Sequence, residues 1–233
     1  MNLILKELEK SVKYSDFINN LENKKSPIAI SGLTGVAEAS IIAKCLEQTK
    51  RPIFVVTYNE IQAQTLVNDL KFFTEDVSYL PKKEIITYDY IAESKNLPYE
   101  RIEILNKIYK KQKTIIVTSV ETIKQKIISK EALYKNTLNF KVGDRCDLEV
   151  LKQKLIDLGY QRFDLIDGRG EFSVRGGIID ISTTENVGIR IELWGDEIDS
   201  IRHFNIISQR SIDNIEKIEI FPAHEYILES NIE

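Results

Sequence analysis

Two cysteines, Cys45 and Cys146, and two histidines, His203 and His224, are all that 233 residues offer to soft-metal or thiol chemistry. The cysteines lie far apart and form no C-x-x-C pair, so buried or indifferent thiols are expected and neither a zinc site nor a redox dithiol. No apolar run approaches the roughly 20 residues of a membrane span. The N-terminus, MNLILKELEKSVKY, lacks the basic start and apolar block of a signal peptide. A cytoplasmic protein with no membrane role is the expectation. A strong excess of one charge is also missing: residues 1–135 carry +4 (21 basic, 17 acidic) and residues 136–222 carry −5 (11 basic, 16 acidic). Neither half has the charge of a nucleic-acid binder.

What is present reads as two domains. Residues 3–22 form one or two amphipathic helices, with Ser15 a candidate N-cap for the second. Pro27-Ile28-Ala29-Ile30 reads as a short buried strand, Val36–Gln48 as a helix, and Pro52–Thr57 (PIFVVT) as a central parallel strand, apolar on both faces. Asn59 caps a helix through Phe73. Val77–Leu80 and Thr114–Thr118 are further strands, separated by a helix from about Pro98 to Lys111, and Ser119 caps a last helix to about Ser129. Strands alternating with helices of roughly 10 to 15 residues imply an α/β domain, a parallel sheet with helices on both faces, over residues 1–135.

After Lys135 the pattern changes to a smaller α+β domain, residues 136–222. Asp147 caps a helix with Leu148, Leu151, Leu155 and Leu158 on one face, and Gly159 stops it. In Glu171-Phe172-Ser173-Val174-Arg175 the alternation points Phe172 and Val174 to a core and places Glu171, Ser173 and Arg175 on the polar face. Ile178–Ile181 is a strand, and Gly188–Trp194 and Glu197–Phe204 flank a Gly195-Asp196 hairpin signal. That register sets Leu193 opposite Ile198 but also Glu192 opposite Asp199, a like-charge pair that leaves a longer loop open as the alternative. Lys217–Phe221 is expected to close the sheet. Residues 223–233 read as the start of a further segment, cut short.

The stretch from Ile30 to Ser40 stands where a nucleotide-binding protein carries its phosphate loop. Aligned on G-x-x-x-x-G-K-[ST], Gly32 fills the first glycine, but Ala37, Glu38 and Ala39 occupy the second glycine, the phosphate-pairing lysine and the magnesium-ligating hydroxyl. At about 4 Å and an effective dielectric of about 20, one charge pair is worth roughly 4 kcal/mol, so Glu38 for lysine turns attraction into repulsion of similar size. The expectation is a degenerate loop that binds no nucleotide, with no catalytic residue, metal or cofactor. The competing reading is half of a P-loop ATPase or nuclease whose other catalytic motifs lie beyond residue 233.

Three segments, GYQRFDLIDGRGEFSVRGGIIDI (159–181), IRIELWGDEIDSIRHFNIISQRS (189–211) and FPAHEY (221–226), resemble the amino-terminal, UvrB-homologous module of the bacterial transcription-repair coupling factors, the Mfd family. The resemblance implies a helicase-like first domain kept without its ATPase, since Gly32, Thr34 and Gly35 match the UvrB loop while Ala37, Glu38 and Ala39 depart from it. UvrB also inserts a DNA-clamping hairpin after a segment that Tyr88-Asp89-Tyr90 resembles. Here IAESKNLPYERIEIL runs directly into a helix and leaves no room for one. The second domain is the part by which UvrB and the coupling factors bind UvrA. Arg162, after Tyr160-Gln161, matches the arginine of the Y-x-R segment by which UvrB makes this contact, and Arg175 matches the last arginine of UvrB's F-R-V-R-G strand, whose middle arginine is replaced by Ser173. Arg169 and Arg190 are further candidates for the same surface. The implied role is UvrA recruitment to stalled RNA polymerase by a monomeric, non-catalytic module. ATP, magnesium, DNA and the polymerase belong to other domains of the full-length relatives.

Overall fold

The structure, a computed structural model, describes residues 3–49, 51–83 and 96–226. The segment around Tyr88-Asp89-Tyr90, on which the absence of a DNA-clamping hairpin was argued, lies outside the described residues, as do residues 227–233. Two compact units divide the chain: residues 1–83 with 104–125, and residues 84–103 with 126–233.

The first unit begins with α1 (Leu3–Leu8) and α2 (Val12–Glu22). Ser11, not Ser15, is the N-cap of α2, and the Ser15 amide already donates to the Ser11 carbonyl at 3.0 Å. The earlier start places Tyr14 and Ile18, four residues apart, together on the buried face. Residues 27–30 form no strand, and Ile30 is exposed. Four residues opened by a proline, which has no amide to donate, offer little to a ladder.

A parallel sheet of β1 (Ile53–Thr57), β2 (Val77–Tyr79) and β3 (Ile115–Ser119) follows in the order β1-β3-β2. The fully buried central strand is β3, whereas β1 lies at the edge and leaves Phe54 and Val56 exposed. An all-apolar strand therefore does not by itself mark the middle of a sheet. Helices α3 (Val36–Thr49) and α4 (Glu60–Lys71) pack Ala39, Ala43, Leu46, Ala63, Leu66, Val67 and Leu70 against Ile115 and Val117. On the opposite face Ile116 meets Ile104 and Ile108 of α5 (Leu97–Tyr109). Asn59 caps α4 by accepting from the Gln62 amide at 2.8 Å. Ser119 caps only the single turn α6 (Val120–Ile123), and the helix expected through Ser129 is broken.

In the second unit α7 (Lys130–Lys135) and β4 (Leu138–Lys141) precede α8 (Leu148–Asp157), capped by the Asp147 carboxylate on the Glu149 and Val150 amides. A six-stranded sheet follows: β5 (Gln161–Arg162), β6 (Glu171–Arg175), β7 (Ile178–Ser182), β8 (Val187–Trp194), β9 (Glu197–Asn205) and β10 (Ser211–Asn214), in the order β10-β9-β8-β7-β6-β5. All pairings are antiparallel except β5 with β6. The inner face stacks Phe172, Ile179, Ile181, Ile189, Ile191 and Ile201 on Leu151 and Leu155 of α8 and on its C-cap Leu158. Strand β11 (Lys217–Ile220) does not close this sheet but pairs with β4 in a separate two-stranded ribbon. The chain after it is strapped down: Tyr160 Oη donates to the Phe221 carbonyl at 2.9 Å, and the buried Arg101 Nε meets Glu225 Oε1 at 2.5 Å.

The β8–β9 hairpin resolves the conflict seen in the sequence without lengthening the loop. Leu193 pairs with Ile198, but a bulge then inserts Asp199 as an extra residue and moves Glu192 opposite Ser200. Ser200 Oγ donates to Glu192 at 2.9 Å, and Arg202 binds the same carboxylate. The like-charge pair becomes a satisfied one.

Candidate functional site

Strand alternation leaves the second unit's sheet with an outward face, and pairing assembles its rungs. One rung runs Ser173, Asp180, Arg190, Arg202; the next runs Arg175, Ile178, Glu192, Ser200. The polar face expected for β6 exists, and on it Glu171 and Ser173 are buried while Arg175 is exposed. The loop before β6 covers that end of the sheet: Glu171 accepts from the Asp167 and Gly168 amides at 2.7 and 3.0 Å, and Ile166 packs with Phe204 and Ile206.

Asp180 is the centre of the face. Its carboxylate has no solvent exposure, takes Arg190 Nε and Nη2 at 2.6 and 2.8 Å, and takes Arg175 Nη2 at 2.5 Å. Arg190 is itself largely buried, stacks 4.4 Å above the Phe204 ring and donates to Gln209. Its hydrogen bonds to Asp180 hold its pKa above the ordinary guanidinium value. Buried carboxylates need this kind of convergence, since an unpaired one costs several kcal/mol. Arg190 thus serves the fold, whereas Arg175, 47% exposed, keeps donors free toward solvent.

The other sequence candidates distribute differently. Arg162 is exposed on the two-residue edge strand β5, in register with Phe172 and so in phase with the inner rather than the outward face. From Arg162 to Arg175 is one strand across and three residues along, roughly 11 Å from strand spacing and rise. Arg169 is half-buried, with Nε and Nη1 buried and without a hydrogen-bond partner. Close by, Gly170 admits the Tyr99 ring, whose phenol burial pushes up to about 12.

Sequence reasoning missed Asp180. Its signal was an acid at the Ser173 and Arg175 parity inside the apolar strand IIDIS, but only the register with Arg190 shows what it does.

Between residues 30 and 40, Gly32 and Gly35 both have positive φ, 82° and 54°, and the loop is exposed. The Ala37 and Glu38 amides are turned inward, donating to the Thr34 and Gly35 carbonyls at 3.3 and 3.0 Å. Ala39 is fully buried in the core, so a side chain there faces away from the loop. Glu38 stands in the first turn of α3, where its charge complements the helix dipole that a bound phosphate would otherwise use. Among the described residues no cluster of His, Cys, Asp and Glu is arranged to hold a metal, and Cys45 and Cys146 are buried free thiols. No described helix is long and apolar enough to cross a membrane.

Residues 138–226 match the family described as the UvrB interaction domain. The match covers the β4–β11 ribbon, α8, the six-stranded sheet and the strap that follows. Over a longer stretch the chain is 35% identical to the transcription-repair-coupling factor of Bacillus subtilis (strain 168), across 225 residues that make up 95% of this chain and 19% of that protein. It is 34% identical over 205 residues to the transcription-repair-coupling factor of Staphylococcus aureus (strain bovine RF122 / ET3-1), with 87% and 18% covered. The chain thus spans about a fifth of the length of these relatives. The outward face with Arg175 and the edge strand with Arg162 both lie within the residues that match this family.

Proposed function

We propose that this chain is the UvrB-like recruiting module of a transcription-repair coupling factor and that its UvrB interaction domain binds UvrA. In the parent protein this brings UvrA to stalled RNA polymerase, while DNA, the polymerase and ATP are handled by other domains. The module itself is non-catalytic. Its first unit keeps a helicase-like layout in which Glu38 replaces the phosphate-binding lysine.

The observation that carries the reading is the contrast between Arg175 and Arg190 within the residues that match the UvrB interaction domain: one carboxylate, Asp180, fixes both, yet Arg175 is 47% exposed and Arg190 13%. A guanidinium positioned by a buried acid is preorganised to pair with a partner's carboxylate, and its forked donors allow two bonds at once. Arg162, about 11 Å away along the backbone and on the opposite parity, projects from the sheet edge, so an interface of roughly 800 Å² per partner takes in both arginines by wrapping the β5 edge.

The test is titration of the chain against UvrA. Arg162→Ala and Arg175→Ala are each expected to weaken binding about thirtyfold, the usual effect of truncating an interface hot spot. Arg210→Ala, an exposed arginine between β9 and β10 and outside the matched motifs, should leave affinity unchanged. Wild-type affinity in both variants would refute the assignment, and absence of binding by the wild-type chain would refute the function.

A further inference from the structure

The chain has a single tryptophan, and it is the most exposed large apolar side chain among the described residues: Trp194 is 84% accessible. It does not sit on a loose loop. Trp194 ends β8 at the two-residue turn, and main-chain bonds pin that turn from both sides. On one side the Leu193 amide donates to the Gly177 carbonyl at 2.8 Å. On the other, the Cys146 amide donates to the Asp196 carbonyl at 2.7 Å, and Gly143 and Asp144 bond to Ile198 at 2.8 and 2.9 Å. The approach to Gly177 is so close that a Cβ there would lie 2.8 Å from the Leu193 carbonyl oxygen.

Alternation along β8 decides which way the indole faces. Ile189, Ile191 and Leu193 pack on the inner core, so Arg190, Glu192 and Trp194 share the outward face. Trp194 therefore stands one position beyond the rung that carries Arg175, Ile178 and Glu192. Two strand spacings across and two residues along separate it from Arg175, roughly 12 Å. The bulge at Asp199 gives the Glu192 carboxylate to Ser200 and Arg202, which leaves Arg175 as the half-exposed cation of that rung. The far end of the same face is covered by the loop bearing Ile166, while this end is open.

An aromatic on a backbone pinned from both sides, near a guanidinium held by a buried acid, is the kind of combination that dominates binding energy at protein interfaces, since the main chain that carries both needs no ordering on binding. We propose that Trp194 is the apolar anchor of the outward face, its indole entering a recess on UvrA whose rim supplies the carboxylate for Arg175. The proposal rests on the UvrA-binding reading above and adds a residue that no arginine motif contains.

The experiment uses the whole chain labelled with 5-fluorotryptophan, which gives one fluorine resonance because there is one tryptophan. Saturating UvrA should shift and broaden that resonance and remove its sensitivity to solvent deuteration. Trp194→Ala should weaken UvrA binding roughly thirtyfold, and Trp194→Phe should restore part of the loss. Ile207→Ala, which removes a side chain of nearly equal exposure (82%) from the turn after β9, should change affinity less than twofold. If UvrA binds the wild-type chain but the resonance does not move, or Trp194→Ala binds as tightly as wild type, the anchor is refuted while the arginine reading stands. Should the wild-type chain not bind UvrA at all, both fall together.

Discussion

Arg190→Ala and Arg175→Ala remove the same functional group from the same carboxylate, yet their effects on stability should differ severalfold. In the parent structure Asp180 is fully buried and holds three guanidinium hydrogen bonds, two from Arg190 and one from Arg175. Removing one partner of a buried pair costs about 3–5 kcal/mol, because the remaining charge keeps its desolvation penalty. Arg175 stays beside Asp180 in the Arg190 variant, which argues for the lower end, about 3 kcal/mol, with about 0.5–1 kcal/mol more for the lost stacking on Phe204. In the reverse case Asp180 keeps its two-pronged partner, and the lost pair is half in water, worth at most about 1 kcal/mol.

At about 3 °C per kcal/mol for a chain of this length, Arg190→Ala should lower Tm by roughly 10 °C and Arg175→Ala by no more than roughly 3 °C. Circular dichroism melts at neutral pH measure both. Arg190→Lys should fall between them, since an ammonium cannot reproduce the fork. A drop for Arg175→Ala equal to that of Arg190→Ala would show that Arg175 is spent on the fold, and the argument for its availability to a partner would fail.

Mg-ATP should give no heat of binding in calorimetry, and a micromolar dissociation constant would overturn the reading of Glu38. Burial pushes the Cys45 thiol up from 9.0 to about 11, so the folded state holds that proton more tightly than the unfolded chain. The associated stability, on the order of 2 kcal/mol, is present below pH 9 and lost as pH rises through about 11. Urea midpoints should fall over that window, less steeply for Cys45→Ala, and an unchanged slope would refute the assignment. Gly188→Ala should destabilise by about 1–3 kcal/mol through overpacking, because its Cβ would lie 2.5 Å from the Phe204 ring. Denaturation as late as wild type would show that Phe204 has room to move.

Elements whose signal is local were legible in the sequence. Asn59, Asp147 and Ser119 cap helices as their side chains dictate, and the Gly195-Asp196 turn sits where its dipeptide puts it. Features that depend on which neighbour an element finds were not. PIFVVT and TIIVT read alike, yet one is an edge and the other a centre. Lys217–Ile220 pairs with β4, far earlier in the chain at Leu138–Lys141, rather than with the adjacent hairpin. The site divides along the same line. Arg162 and Arg175 stand in local motifs, but the burial of Ser173, the coupling of Arg175 to Arg190 through Asp180 and the bulge at Asp199 all come from cross-strand register.

Register also bears on Ser173, where the UvrB motif that β6 resembles has an arginine. Ser173 lies directly opposite Asp180, which lies directly opposite Arg190, and Ser173 is buried with no hydrogen-bond partner for its hydroxyl. A guanidinium at 173 would bring a third cation to one carboxylate that Arg190 and Arg175 already satisfy, in a place with little water to screen the repulsion. The position cannot reach a partner without first expelling what covers it, so the small hydroxyl fits the rung that Arg190 occupies from the other side. Strand β6 then offers the proposed interface one arginine rather than two. The remaining affinity must come from groups outside the strand, which places the weight on Arg162 at the edge and Trp194 at the hairpin tip.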